Sequence, residues 1–340
     1  MTFVEELLRQ HRAALGLDER RVRGMRTSVL TPRFTTSRHV VGMVSGARGR
    51  PELVVKVPRR AGDDSGTRRE AHVLGLLAGT GVGAPQLVGL VEHEDRAVLV
   101  ETVVRGAELD PARVRQDPEA AVAAGVAFVS ALPVTRPADA NAGWYERAVQ
   151  RPLRSLVELV GDDGGDLAGL VERTHAVLAP LRDVAVPAVL EHADLSHPNL
   201  FLAADGSLQV IDWERADEHG VPGHDLVFLL GHLGEARRGA WTRDGQREAF
   251  DATFTGPAAW ARPLLADHLR ARGIDPALLP QVVVLAWARS SATLAERLVP
   301  AGASSSEDAG RPTPEQARAA VAADRDVALW RHALDRVEQL

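Results

Sequence analysis

The sequence predicts an α+β protein of two lobes: a small antiparallel sheet with one long helix over residues 1–104, and a larger, mainly helical part over residues 105–340 that carries a hairpin. Three observations lead there. With 340 residues, of which 45% are hydrophobic, the chain can bury a core large enough to divide between two lobes. Five short runs, Ser28–Phe34, His39–Ser45, Leu53–Val57, Pro85–Val91 and Ala97–Val103, have strand-like composition and are separated by polar or Gly-containing turns. From Pro111 onward the apolar residues recur mostly at helical spacing, with the stretch Leu190–Ala216 as the main exception.

Taken in order, residues 2–16 read as an amphipathic helix with Phe3, Leu7, Leu8 and Leu15 facing inward. Pro32 restricts the first strand to a sheet edge. The turn Thr35-Thr36-Ser37-Arg38 could lay hydroxyls and backbone N–H groups over phosphates, with Thr36 and Ser37 at its tip. It has no G-x-G-x-x-G, and an ordinary hairpin turn explains it nearly as well. The third strand carries Lys56, and the helix Arg68–Ala78 contains Glu70. The run Leu99–Gly106 leaves the sheet in the position of a hinge, where the backbone at Glu101 and Val103 could pair with the edge of an adenine. Helices are then expected at Pro118–Ser130, Trp144–Val160 and Leu167–Leu178, interrupted by a Gly/Asp loop at 161–166. Asp225 opens an apolar helix, where an Asp caps the helix or ties down a neighbouring loop through backbone N–H groups. Further helices are expected at Trp241–Phe254, Pro257–Arg272, Pro276–Ala295 and Pro314–Leu340, with a low-complexity, mobile stretch at Pro300–Thr313.

Leu190–Ala216 organises the rest. It opens with His192, Asp194 and Asn199, runs into Leu200–Leu202, turns at Ala203-Ala204-Asp205-Gly206 and returns as Leu208–Ile211 to deliver Asp212. Strand, Asp-Gly turn and strand is a hairpin signature. A hairpin brings its ends together, so Asp194, Asn199 and Asp212 are expected to converge. Two carboxylates and an amide oxygen suit a divalent cation beside a reacting hydroxyl.

Composition narrows the classes. The net charge of -6 argues against a general nucleic-acid binder, no apolar run approaches the length of a membrane span, and the N-terminus lacks an apolar signal core. With no Cys there are neither disulfides nor thiolate metal sites, and a cytoplasmic location is the default. Residues 1–104 hold 16 basic and 12 acidic residues, whereas the remainder holds 24 and 34. A basic first lobe suits a polyphosphate and an acidic second lobe a cationic acceptor, although plain solvated charge explains the second lobe equally well. Of the 40 basic residues, Lys56 is the one lysine. In a chain whose Ala, Arg and Gly bias fits a GC-rich genome, a single retained Lys marks a position that needs a compact ammonium; chance survival is the alternative.

With Lys56, Glu70, the H-x-D-x-x-x-x-N of His192, Asp194 and Asn199, and the Asp-Trp-Glu at Asp212–Glu214, the chain resembles the aminoglycoside phosphotransferase/choline kinase family from about residue 25 to its C-terminus. The resemblance implies a bilobal protein-kinase-like fold and a small-molecule kinase that uses ATP and Mg2+. It implies that Asp194 is the catalytic carboxylate accepting a hydrogen bond from the acceptor hydroxyl, and that Asn199 and Asp212 hold magnesium. Lys56 would contact the α- and β-phosphates, oriented by Glu70, while His192 and Asp225 order the catalytic loop. One departure is Ala193, where the family usually has Gly; a methyl group fits there if the backbone avoids positive φ.

Other readings remain open. His192, Asp194, His197, Asp212, His224 and Asp225 could form a dinuclear metal site for hydrolysis, or the chain could be a nucleotide-binding module without turnover. The acceptor could be an aminoglycoside-like compound, a sugar, an amino alcohol, a natural-product intermediate, or Ser/Thr of a biosynthetic peptide. Asp244, Asp251 and Asp267 could meet ammonium groups, and Trp144, Tyr145, Trp260 and Trp287 could form an aromatic cage. Neither nucleic acid nor membrane is expected as a partner, and the sequence leaves the oligomeric state open.

Overall fold

A computed structural model describes residues 2–30, 39–161, 166–298 and 313–340. The chain divides into two compact units. Unit 1 comprises Met1–Ala107 and Phe201–Ala216, and unit 2 comprises Glu108–Leu200 and Asp217–Leu340.

Unit 1 begins with α1 (Phe3–Gln10), held by a capping box in which the Thr2 hydroxyl accepts from Glu5 N–H and the Glu5 carboxylate accepts from Thr2 N–H. The helix ends at Gln10, six residues short of the expected end at residue 16, and a second short helix, α2 (Glu19–Arg23), starts on the Asp18 cap. Val4, Leu7 and Leu8 form the buried stripe, while Phe3, expected inside, is 46% exposed and packs edge-on against His93. The strands β1 (Arg26–Leu30), β2 (His39–Ser45) and β3 (Pro51–Pro58), the helix α3 (Ser65–Leu77), and the strands β4 (Leu87–His93) and β5 (Arg96–Thr102) follow. They make an antiparallel five-stranded sheet of order β1-β2-β3-β5-β4. Val44, Leu53, Val55, Val98 and Val100 of this sheet cluster with Val4, Leu7 and Leu8 of α1. Thr36 and Ser37 lie outside the described residues.

After β6 (Ala107–Glu108), unit 2 continues with α4 (Pro111–Gln116), α5 (Pro118–Ala131), β7 (Val134–Arg136), α6 (Arg151–Val160), α7 (Asp166–Val177) and β8 (Ala188–Glu191). A turn of π-helix, Glu146–Gln150, precedes α6, so the helix expected from Trp144 onward is not uniform. The hairpin strands β9 (Leu200–Leu202) and β10 (Leu208–Val210) form as expected, with Gly206 at φ 84° in the turn and Asp205 Oδ1 accepting from Ser207 N–H at 2.9 Å. From Phe201 to Ala216 this segment belongs to unit 1. There Val210 N–H donates to Gly83 O at 2.8 Å. A β-carbon on Gly83 would lie 2.1 Å from Leu208 O, so only glycine permits that approach.

Unit 2 resumes with β11 (Asp217–Gly220), which pairs with β8 in a sheet of order β11-β8-β7. Then come α8 (His224–Arg238), α9 (Arg243–Phe254), α10 (Arg262–Ala271), α11 (Leu279–Leu298), α12 (Pro314–Ala323) and α13 (Arg325–Asp335). Residues 276–295 are long and apolar enough to cross a membrane by length and composition, contrary to the expectation from sequence, but 67% of that window is buried inside the protein. It serves as a core helix, packed on α6, α8 and α13. The single C-terminal helix expected from Pro314 is broken at Asp324, whose carboxylate caps α13 by accepting from Asp326 and Val327 N–H groups.

Candidate active site

In unit 1 the side chains of Lys56, Glu70, Glu101 and Asp212 come together. Lys56 is carried by β3, whose alternation points it to the face where α3 packs. Its ammonium donates to Glu70 Oε1 at 2.7 Å, to Glu70 Oε2 at 2.8 Å and to Asp212 Oδ1 at 3.0 Å. Glu101 Oε1 stands 3.9 Å away. Glu70 lies in the second turn of α3, fully buried, and also accepts from Trp213 N–H at 2.9 Å. One carboxylate therefore fixes both the lysine and the segment after the hairpin. Asp212 itself has left-handed backbone (φ 71°), and its side chain keeps 40% of its surface exposed.

Burial alone would lower the Lys56 pKa, but the carboxylates of Asp212, Glu70 and Glu101 outweigh it and hold the ammonium well above its ordinary value. Burial raises the Glu70 carboxyl against the pull of Lys56. Glu101 is pushed up to about 8 by burial, opposed by Lys56 and reinforced by Glu70 and Asp212. Its Oε2 has no hydrogen-bond partner among the described residues.

The two residues expected at the hinge, Glu101 and Val103, lie at the end of β5 and just after it. Glu101 lies within the sheet, opposite Val54 on one side and Leu87 on the other, and the Val103 N–H donates to Glu52 O at 3.1 Å. The contribution of Glu101 is its side chain beside Lys56, which a reading of backbone hinge contacts does not anticipate.

In unit 2 the loop 192–199 follows β8. Asp225, the second residue of α8, accepts from His192 N–H at 2.7 Å and from Ala193 N–H at 2.9 Å, the loop-tying role expected of it. Burial and the Glu191 carboxylate push Asp225 up to about 7, while the two backbone N–H groups and Arg289 pull it down. His192 is buried, and its Nδ1 accepts from Asp194 N–H at 3.2 Å. The Asp194 carbonyl accepts from Ser196 N–H at 2.9 Å and Asn199 Nδ2 at 3.1 Å, and Asp194 Oδ1 lies 3.4 Å from the Ser196 hydroxyl. The loop is thus fastened through its backbone, and the Ser196 hydroxyl makes a long, weak contact with the Asp194 carboxylate. Ala193 sits at φ 64°, the left-handed conformation in which a β-carbon is strained. The condition under which a methyl group would fit is therefore not met, and the loop holds Ala193 there by the bond to Asp225.

Beneath the loop lies a pair the sequence did not reveal. Glu191 is buried and accepts from Arg289 Nη1 at 2.6 Å and Val221 N–H at 3.0 Å. Among the described residues no group of three His, Asp or Glu side chains is placed to hold a metal. The acids considered for a cationic acceptor are engaged with basic side chains, Asp244 with Arg247, Asp267 with Arg270, and Asp251 with His332 and Arg336. Trp144, Tyr145 and Trp287 are buried, and Trp260 stacks under Arg237 at 4.7 Å.

No curated protein matches the sequence. Solved structures of similar fold include choline kinase from Cryptosporidium parvum Iowa II, at 10% identity, covering 98% of this chain and 94% of that one with a TM-score of 0.55. Choline kinase LicA from Streptococcus pneumoniae is similar at 13% identity, covering 99% of each chain with a TM-score of 0.53. A thermostable mutant of aminoglycoside phosphotransferase APH(4)-Ia, in ternary complex with AMP-PNP and hygromycin B, is similar at 15% identity, covering 99% of this chain and 98% of that one with a TM-score of 0.55. At such identities the likeness is one of fold, and the fold is kinase-like. The family model described as "Phosphotransferase enzyme family" matches residues 41–265, well over half of the sequence, and the chain therefore belongs to the phosphotransferase enzyme family.

Proposed function

We propose that the protein transfers the γ-phosphoryl group of ATP, with magnesium, to a hydroxyl group of a small molecule. The observation that carries this reading is Lys56, a buried ammonium held by Glu70 and Asp212. The carboxylates of Glu70 and Asp212 around one ammonium leave an excess of negative charge that suits a divalent cation, and magnesium is commonly held by one or two protein ligands together with substrate phosphates. Asp212 and Asn199 are the residues that would hold it. Bound magnesium would neutralise charge developing on the transferring phosphoryl oxygens.

The chain's own groups do the rest. Lys56 would place a point charge against the nucleotide phosphates, with Glu70 fixing its direction. Asp194, on a loop fastened by His192, Asn199 and Asp225, would accept the hydrogen bond of the acceptor hydroxyl and orient its oxygen for attack. Phosphoryl transfer asks mainly for such positioning and for neutralised charge. The likeness to choline kinases and to an aminoglycoside phosphotransferase favours a small polyol or amino alcohol as the acceptor class.

The test is ADP release from magnesium–ATP across a panel of aminoglycosides, sugars and amino alcohols, with the phosphorylated product identified by mass. Asp194→Asn is expected to keep the fold and nucleotide binding and to lose roughly 10²–10⁴-fold in turnover. Undiminished turnover by that variant would remove the assignment.

A further inference from the structure

Helix α8 carries a second acceptor that no motif marks. His232 lies seven residues after Asp225, two helical turns on and hence on the same face, roughly 10 Å along the axis. Its Nε2 is 3.1 Å from His197 N–H. The backbone N–H can only donate, so Nε2 accepts, and the imidazole is neutral with its proton on Nδ1. Burial, with Arg325 and His197 nearby, lowers the His232 pKa to about 3 against the opposing pull of Asp326, so the accepting tautomer persists. Arg325 is fixed in turn by Glu235 and Asp326 and lies over the Trp287 ring at 5.3 Å. On its other side the loop is met by Glu108, whose Oε1 is 2.7 Å from His197 Nε2.

We infer that His232 is a positioning residue for the catalytic loop: Asp225 fastens the N-terminal end of the loop at His192 and Ala193, His232 fastens it at His197, and Asp194 is held between the two points. The role in turnover rests on the kinase reading of Asp194, whereas the backbone contact does not. The Asp225 bonds, with the His192 and Asn199 contacts, hold the loop as far as Asp194, and the His232 bond adds a fixed point beyond it at His197. Two acceptors from one rigid helix fix both the place and the direction of the Asp194 carboxylate.

The experiment compares His232→Leu, which fills the space without an acceptor, with His232→Gln, whose amide oxygen can take the place of Nε2. Residue-resolved hydrogen exchange in the full chain should show the His197 amide exchanging about 10-fold faster in His232→Leu, with protection regained in His232→Gln. The His192 and Ala193 amides should keep their protection in both. In the magnesium–ATP assay His232→Leu should lose roughly 10- to 100-fold in kcat with KM for ATP within about twofold, and His232→Gln should recover most of it. Unchanged exchange at His197 in His232→Leu overturns the contact, and wild-type kcat in that variant overturns the positioning role. A wild-type protein without phosphoryl transfer would defeat the kinase reading alone, because the exchange measurement still decides the contact.

Discussion

Lys56 Nζ stands 3.0 Å from Asp212 Oδ1 while donating to both carboxylate oxygens of Glu70. One ammonium thus joins β3, α3 and the segment after the hairpin. Lys56→Met leaves Glu70 buried without its countercharge and should destabilise unit 1 by about 3–5 kcal/mol, read from the denaturant midpoint. Lys56→Arg keeps the charge, but a planar guanidinium cannot place its donors at a single point between two acids. It should retain more stability than Lys56→Met and still lose magnesium–ATP turnover. Wild-type turnover in Lys56→Arg would show that a compact ammonium is unnecessary.

Glu101 makes stability depend on pH. In the folded protein its carboxyl keeps the proton up to about pH 8, whereas its ordinary value is 4.5. Between those values the folded state binds the extra proton. The stability contributed by this group is therefore full below about pH 4.5, falls as pH rises, and is lost above about 8. Glu101→Gln, which cannot ionise, should melt close to wild type near pH 5 and above it at pH 8.5, by about 2–4 °C for each kcal/mol recovered. A difference in melting temperature that stays constant across this range would refute the assignment.

Asp225 bears on the catalytic loop through two backbone N–H groups. Asp225→Ala should cost about 1–3 kcal/mol for each N–H left unpaired. Asp225→Asn keeps one acceptor oxygen and relieves repulsion from Glu191, so its loss should be smaller. Hydrogen exchange at His192 and Ala193 should quicken in the order wild type, Asn, Ala. Equal protection in all three would show that the loop is held by other contacts.

What the sequence made legible was local. The hairpin announced itself through an Asp-Gly turn between two short, largely apolar runs, and Asp225 through its place at the start of a helix. The one lysine stood out because every other basic residue is Arg. The less legible features depend on partners far along the chain or on small differences of phase. Glu191 and Arg289 meet across 98 residues, and neither has a local pattern that names the other. Phe3 rather than Val4 was expected inside because the buried stripe of so short a helix is set by which residue meets the sheet. The C-terminal break could have been read from Asp324, an N-cap residue with Asp two positions later, yet apolar periodicity on both sides masked it. Glu101 belongs to a run that leaves the sheet as a hinge would, while the choice of face that points its carboxylate at Lys56 follows from sheet register.

Ala193 offers the sharpest test of strain. At φ 64° its methyl group crowds the backbone, a penalty of roughly 1–2 kcal/mol for an L-residue in the left-handed region. Glycine there removes the clash but gives the unfolded chain more freedom, which offsets about 0.4–1 kcal/mol. Ala193→Gly should therefore stabilise the protein by a net amount on the order of 0.5–1 kcal/mol, seen as a higher denaturant midpoint with an unchanged slope. Ala193→Val, with a branched β-carbon at the same φ, should shift the midpoint the other way and by more. If glycine instead lowered the midpoint, residue 193 would not be left-handed in solution, and the account of how Asp225 sets the loop would need a different backbone.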